Sequence, residues 1–123
     1  MPMFVDPSAR VPVTLGENTV YIRAKMDAGT KAQVSDEVRA RGVDGETDSR
    51  EVRGLGSYRM LLMIHNIVDW EGPDFCDEKG VKVPCTRANI RRLDPTGPMF
   101  DAVGERIGEL NADPETPEGT DPN

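Results

Sequence analysis

Four groups of residues in this sequence carry side chains that could do chemistry. His65, the sole histidine, ends the apolar run Met60-Leu-Leu-Met-Ile-His65. An imidazole acts as a general base near neutral pH when a nucleophile and an orienting carboxylate stand beside it. Neither stands at helical spacing from His65, so it reads as a core-edge imidazole satisfied by a carbonyl. Cys76 and Cys85 offer two thiols. A closed zinc site takes four ligands, and two cysteines with one distant histidine do not supply that pattern. They read as free thiols. Asp74, Asp77 and Glu78 gather near a turn, but calcium needs more oxygen ligands at regular spacing, so a polar turn is the reading. Arg87, Arg91 and Arg92 form one basic patch. It suits a phosphate, a solvated helix face, or acidic residues of a partner.

Other signatures of catalysis are missing. Gly54-Leu-Gly56 is a fragment of a phosphate-binding loop with no strand before it, and serves better as an entry into a helix. There is no zinc-protease helix motif, nucleophile elbow or paired-cysteine motif. The sequence therefore predicts no catalytic residue, no cofactor-binding residue and no metal ligand. The chain reads as a binding protein rather than an enzyme, with no cofactor.

Its charge narrows the partners. The net charge is -7, which repels phosphate and disfavours nucleic acid. Asn111–Asn123 hold four carboxylates and no basic residue, so most of the imbalance belongs to this tail and Met1–Leu110 is nearly balanced. No stretch approaches the roughly 20 apolar residues that span a bilayer, and the N-terminus lacks the basic and apolar regions of a secretory signal. A cytoplasmic protein with no membrane partner is expected.

The elements that must position these residues form a helix-rich α+β pattern. An arm over 1–10 precedes one folded domain over 11–110, and a disordered acidic tail over 111–123 follows. Val11–Leu15 and Thr19–Arg23 are β-branched runs around Gly16-Glu-Asn18, a hairpin with a three-residue loop. Pro12 places the first strand on a sheet edge. In the second, Val20 and Ile22 share one face. Asp27 caps a helix reaching about Arg41, with Val34 and Val38 on its inner side, and Gly42 stops it. Gly42–Gly54 reads as a mobile polar loop. Leu55–Trp70 is apolar nearly all round, the mark of a buried central helix. Gly72-Pro73 breaks it. A short hairpin over Phe75–Val83 turns at Glu78-Lys-Gly80. Thr86 caps a helix over Arg87–Leu93, and Asp94-Pro95 opens a last helix to Leu110. The stripe Met99, Phe100, Val103, Ile107 and Leu110 on that helix is the candidate partner-binding face.

From Leu61 to Leu110 the features fall in a recognisable order. An apolar helix ends in Val68-Asp-Trp70. An acidic turn with a glycine follows (Asp77-Glu-Lys-Gly80), then Val83-Pro84, Thr86-Arg-Ala-Asn-Ile90, and Arg92-Leu-Asp-Pro95 before the last helix. This order, with the strand Val20-Tyr-Ile-Arg23 ahead of it, resembles the tail assembly chaperones of long-tailed, siphovirus-type bacteriophages. The resemblance implies a protein that binds the tape-measure protein and helps recruit tail-tube subunits during virion morphogenesis. It implies work in the host cytoplasm and absence from the mature virion. Two other readings stand beside it: a head–tail joining or tail-completion structural protein, and a small acidic regulator or inhibitor.

Overall fold

The computed structural model describes residues 3–40 and 56–112. Within them a three-stranded antiparallel sheet of order β1-β2-β3 packs against helices, a mixed α+β fold as the sequence predicts. β1 (Arg10–Leu15) and β2 (Asn18–Arg23) form the hairpin. Leu15 pairs with Asn18, so the loop is Gly16-Glu17, one residue shorter than expected. Two-residue hairpin turns need positive φ at their first position, and Gly16 supplies it at 61°. Pro12 lies on the outer strand, where a missing N–H costs no ladder bond. Val20 and Ile22 are fully buried on one face of β2.

α1 (Ala28–Ala40) starts where the sequence places it. The Asp27 carboxylate accepts the Thr30 N–H at 2.7 Å. That bond holds the Asp27 carboxyl below its ordinary value. Val34 and Val38 are buried. The expected stop at Gly42 and the loop Gly42–Gly54 lie outside the described residues.

The central helix is shorter than predicted. α2 (Gly56–Asn66) ends four residues before Trp70, and Ile67–Glu71 form strand β3 against β2. Ile67, Val68 and Trp70 favour a pleated surface. The buried Asn66 amide turns back to donate to the Leu62 carbonyl at 2.9 Å, tying the side chain to the last turn of the helix. A register shift between Tyr21 and Ile22 lets β3 bulge, so Ile67 pairs with Ile22 and Trp70 with Val20. Both side chains are buried although they stand three residues apart.

Gly72 follows at φ 127°. A Cβ there would lie 2.7 Å from Asn18 Cα and Glu17 O, so the tip of the hairpin closes on this residue only because it has no side chain. A 3-10 turn (Pro73–Phe75) leads to the second hairpin. It is a tight turn with a single bridge, Cys76 to Lys82, not two paired strands. Asp77 builds it by accepting the N–H groups of Lys79 and Val81. α3 (Arg87–Ile90) is capped by Thr86, whose hydroxyl accepts the Asn89 N–H at 3.2 Å.

α4 (Pro98–Leu110) starts later than Asp94-Pro95 suggests. Asp94 instead spends its carboxylate on a local turn, accepting the Thr96 N–H and hydroxyl. The proline of the first helical turn is Pro98. Asn111, assigned to the tail by sequence, belongs to the fold. Its side chain accepts the Met26 N–H and donates to the Ile107 carbonyl, both at 2.8 Å. Residues 113–123, the bulk of the expected tail, lie outside the described residues.

Two apolar clusters result among the described residues. The larger joins the sheet, α2 and α4 through Val20, Ile22, Met63, Trp70, Val103 and Ile107. Trp70 stacks on Phe75 at 4.9 Å and donates its indole N–H to the Val83 carbonyl at 2.7 Å. The smaller holds α1 through Met26, Val34, Val38 and Leu61.

Candidate binding cleft

The apolar stripe of α4 divides in two. Val103 and Ile107 are 2% and 1% exposed and belong to the domain's own core. Met99, Phe100 and Leu110 pack at its margin and keep part of their surface in solvent. A partner meeting this face touches the second set, with the first set supporting it from below.

Beside the first turn of α4 an open cleft of about 440 Å³ runs toward the hairpin tip. Buried Val20, Met63, Ile67 and Val103 line its inner part. Leu93, Met99 and Phe100, all half-buried, come from the other side, with Leu15, Asn18, Asp74 and Asp94 nearer solvent. Its size falls within the roughly 300–1,000 Å³ range of ligand pockets. Among the described residues that line it are two carboxylates and no lysine or arginine. Asp74 is fixed by Asn18, which donates to its carboxylate at 2.8 Å and accepts its N–H at 3.0 Å. The Thr96 hydroxyl, followed by the Thr96 N–H, holds the Asp94 carboxyl below its ordinary value. On α2, Arg59 lies 5.5 Å from the Phe100 ring centre and pairs with Asp101 at 3.3 Å. Among the described residues no histidine, cysteine or serine lines the cleft. What it offers is apolar contact bordered by negative charge.

The other residues singled out by sequence stand apart from this cleft. His65 meets a carboxylate, not the carbonyl expected of it: its Nε2 lies 3.0 Å from Glu37 Oε1. Glu37 comes from α1, so no helical spacing around His65 reveals it. Arg87 reaches the same oxygen at 3.5 Å, while Arg23 donates to the His65 backbone carbonyl at 2.8 Å. The cluster ties α1, α2, α3 and β2 together. The hydrogen bond from His65, then the charges of His65 and Arg87, hold the Glu37 carboxyl below its ordinary value.

Both cysteines are free and half-buried. Cys76 donates its thiol to the Gly72 carbonyl, and burial pushes the Cys85 thiol upward. Among the described residues no three histidine, cysteine or carboxylate side chains gather as a metal site. Asp74 and Asp77 serve separate hydrogen bonds and do not converge. Of the three arginines, Arg87 pairs with Glu37 and Arg92 donates to Asn89.

Sequence reasoning named Met99, Phe100 and Val103 but missed the rest of the cleft. Leu15, Phe75 and Leu93 belong to three different segments, and only the β1-β2-β3 order and the close approach at Gly72 bring them together. No local pattern announces such a convergence. No protein-family model, no curated protein and no solved structure matches the chain.

Proposed function

We propose that the chain is a non-catalytic binding protein, a tail assembly chaperone of a long-tailed bacteriophage, which binds the tape-measure protein and helps recruit tail-tube subunits. The observation that supports the binding role is the open, mainly apolar cleft beside α4, which contains Met63, Met99 and Phe100. Methionine suits a surface that must adapt to successive segments of a long helical partner. The particular role comes from the ordered resemblance over Leu61–Leu110. One feature of it takes a different form in the fold, since Trp70 stands in β3 and not at a helix end. The acidic turn at Asp77–Gly80, the Thr86 cap and Leu93-Asp-Pro95 stay in place before α4. In this reading the contact is made by Met99, Phe100 and Leu110 while Val103 and Ile107 support them. The protein acts in the host cytoplasm and leaves before the virion is complete.

The test is co-expression with the long helical tape-measure candidate encoded downstream. The expected result is a candidate that is soluble only in company with this chain, and purified virions without it. A candidate equally soluble alone, together with stoichiometric amounts of this chain in virions, would replace the chaperone reading with that of a structural component.

A further inference from the structure

Several carboxylates of this chain are spent on its own cations. Asp69 pairs with Lys82, Asp101 with Arg59 and Glu109 with Arg106, at 3.0, 3.3 and 2.9 Å. Asp74 and Asp94 are held differently. Asp74 accepts the Asn18 amide, and Asp94 accepts the N–H and hydroxyl of Thr96. Among the described residues neither makes an ion pair. Asp6, Asp27 and Asp77 also rest on neutral donors, but of the described carboxylates only Asp74 and Asp94 line the cleft beside α4.

The two aspartates reach the cleft from separate segments, Asp74 from the 3-10 turn and Asp94 from the turn before α4. Both are exposed where the lining meets solvent. Behind them the walls are apolar. The Arg59 guanidinium over the Phe100 ring already has its counter-ion in Asp101, so the described charge at the cleft is that of the two aspartates. Neutral hydrogen bonds hold these carboxylates in position without cancelling their charge. A partner cation therefore meets groups whose ordering cost is largely met by the fold. Charge placed at the rim of an apolar site acts mainly on which partner is chosen.

Given the reading of this cleft as a site for a protein partner, we infer that it selects segments in which an apolar anchor is flanked by lysine or arginine. The anchor enters among Met63, Met99 and Phe100, and the flanking cations meet Asp74 and Asp94. Segments flanked by carboxylates are turned away by the same two residues.

The experiment measures binding of three labelled helical peptides to the full chain by fluorescence anisotropy. The peptides share one stripe of leucine and phenylalanine and carry lysine, glutamine or glutamate at the flanking positions. The lysine peptide should bind about tenfold tighter than the glutamine peptide, an effect within reach of two exposed ion pairs, and the glutamate peptide should bind weakest. The preference should shrink as salt is raised. In the double variant Asp74→Asn, Asp94→Asn each new amide keeps an acceptor oxygen for Asn18 or Thr96, so the melting curve should hold while the lysine preference falls to within about twofold. The double variant Glu105→Gln, Glu109→Gln removes the same charge from exposed positions outside the cleft lining, and should keep the preference. Equal affinity for the three peptides overturns the inference, as does failure of all three to bind. A preference that survives loss of both aspartates, or that falls equally in the glutamate variant, overturns it too. So does a Phe4→Asp chain that binds the lysine peptide tenfold tighter than wild type, since the chain's own N-terminal arm would then be the occupant. The chaperone role has a separate fate. A tape-measure candidate that is soluble alone removes that role and leaves a lysine preference standing, while equal binding of the peptides leaves the co-expression result untouched.

Discussion

Val20, Ile22, Trp70, Val103 and Ile107 bring two strands and α4 to a common centre, whereas Met26, Val34, Val38 and Leu61 join α1 to a single face of α2. The residue types are alike. What differs is how many elements lose their packing when the cluster opens. Removing a side chain from the first unpacks the sheet from both helices, while opening the second releases α1 and leaves the sheet assembled. Stability is distributed in such cooperative units, and a small cluster beneath one helix belongs to the low end. The hydrogen bond from Met26 to Asn111 at the end of α4, and the Glu37 cluster, are the polar ties that keep the small unit in register with the large one.

The largest effect expected is that of Trp70→Ala. It removes the stacking on Phe75, the indole bond to Val83 and the contact with Val20 across the strand pair. Emptying a site of this size costs about 3–5 kcal/mol. Urea unfolding followed by far-UV circular dichroism should show it as a lower midpoint, with amide protection falling in the sheet, α2 and α4 together. A loss below about 1 kcal/mol would mean that the larger cluster is not centred on Trp70.

Val38→Ala should act on the other unit. Two methyl groups at about 0.8 kcal/mol each give a loss near 1.6 kcal/mol. Native-state hydrogen exchange should find it confined to α1, with β1, β2 and β3 protected as before. Equal loss of protection in the sheet would merge the two clusters into one cooperative unit and dissolve the contrast between them.

The two units were not equally legible in the sequence. The hairpin could be read because alternation and Pro12 are local signals, and α1 because Asp27 and the valines at helical spacing are too. Trp70 misled for a physical reason. The bulge in β3 places Ile67 and Trp70 on the core side three residues apart, which is the spacing of one helical turn, so a strand continued the period of the helix before it. A helix apolar nearly all round also does not show how deep each side lies: Leu61 is fully buried and Leu62 half-buried against both clusters. The α4 stripe was legible as a stripe. That Val103 and Ile107 are spent inside while Met99 and Phe100 border a cleft depends on where β2 and Phe75 lie, and those positions are set by contacts between segments far apart in the chain. The Glu37–His65 bond was hidden for the same reason, since its partners are 28 positions apart.

That bond yields the smallest effect and the one that most sharpens the comparison. In the folded chain the Glu37 carboxyl is held below its ordinary value, first by the His65 hydrogen bond. The folded state therefore binds this proton less tightly than the unfolded state does. The stability it contributes is complete above the ordinary glutamate value of about 4.3, and is lost as pH falls through the lower folded value. The carboxylate is partly exposed, so the contribution at neutral pH is about 0.2–1 kcal/mol. Glutamine has the shape of the protonated carboxyl. Glu37→Gln should therefore unfold earlier than wild type in urea at neutral pH, and the gap should close as both are acidified below the carboxylate range. Because Glu37 belongs to α1, the neutral-pH difference should be read in the exchange of α1 amides before those of β2. A gap that stays constant with pH would assign the contact to packing alone, and α1 would then be held by its apolar patch without electrostatic help.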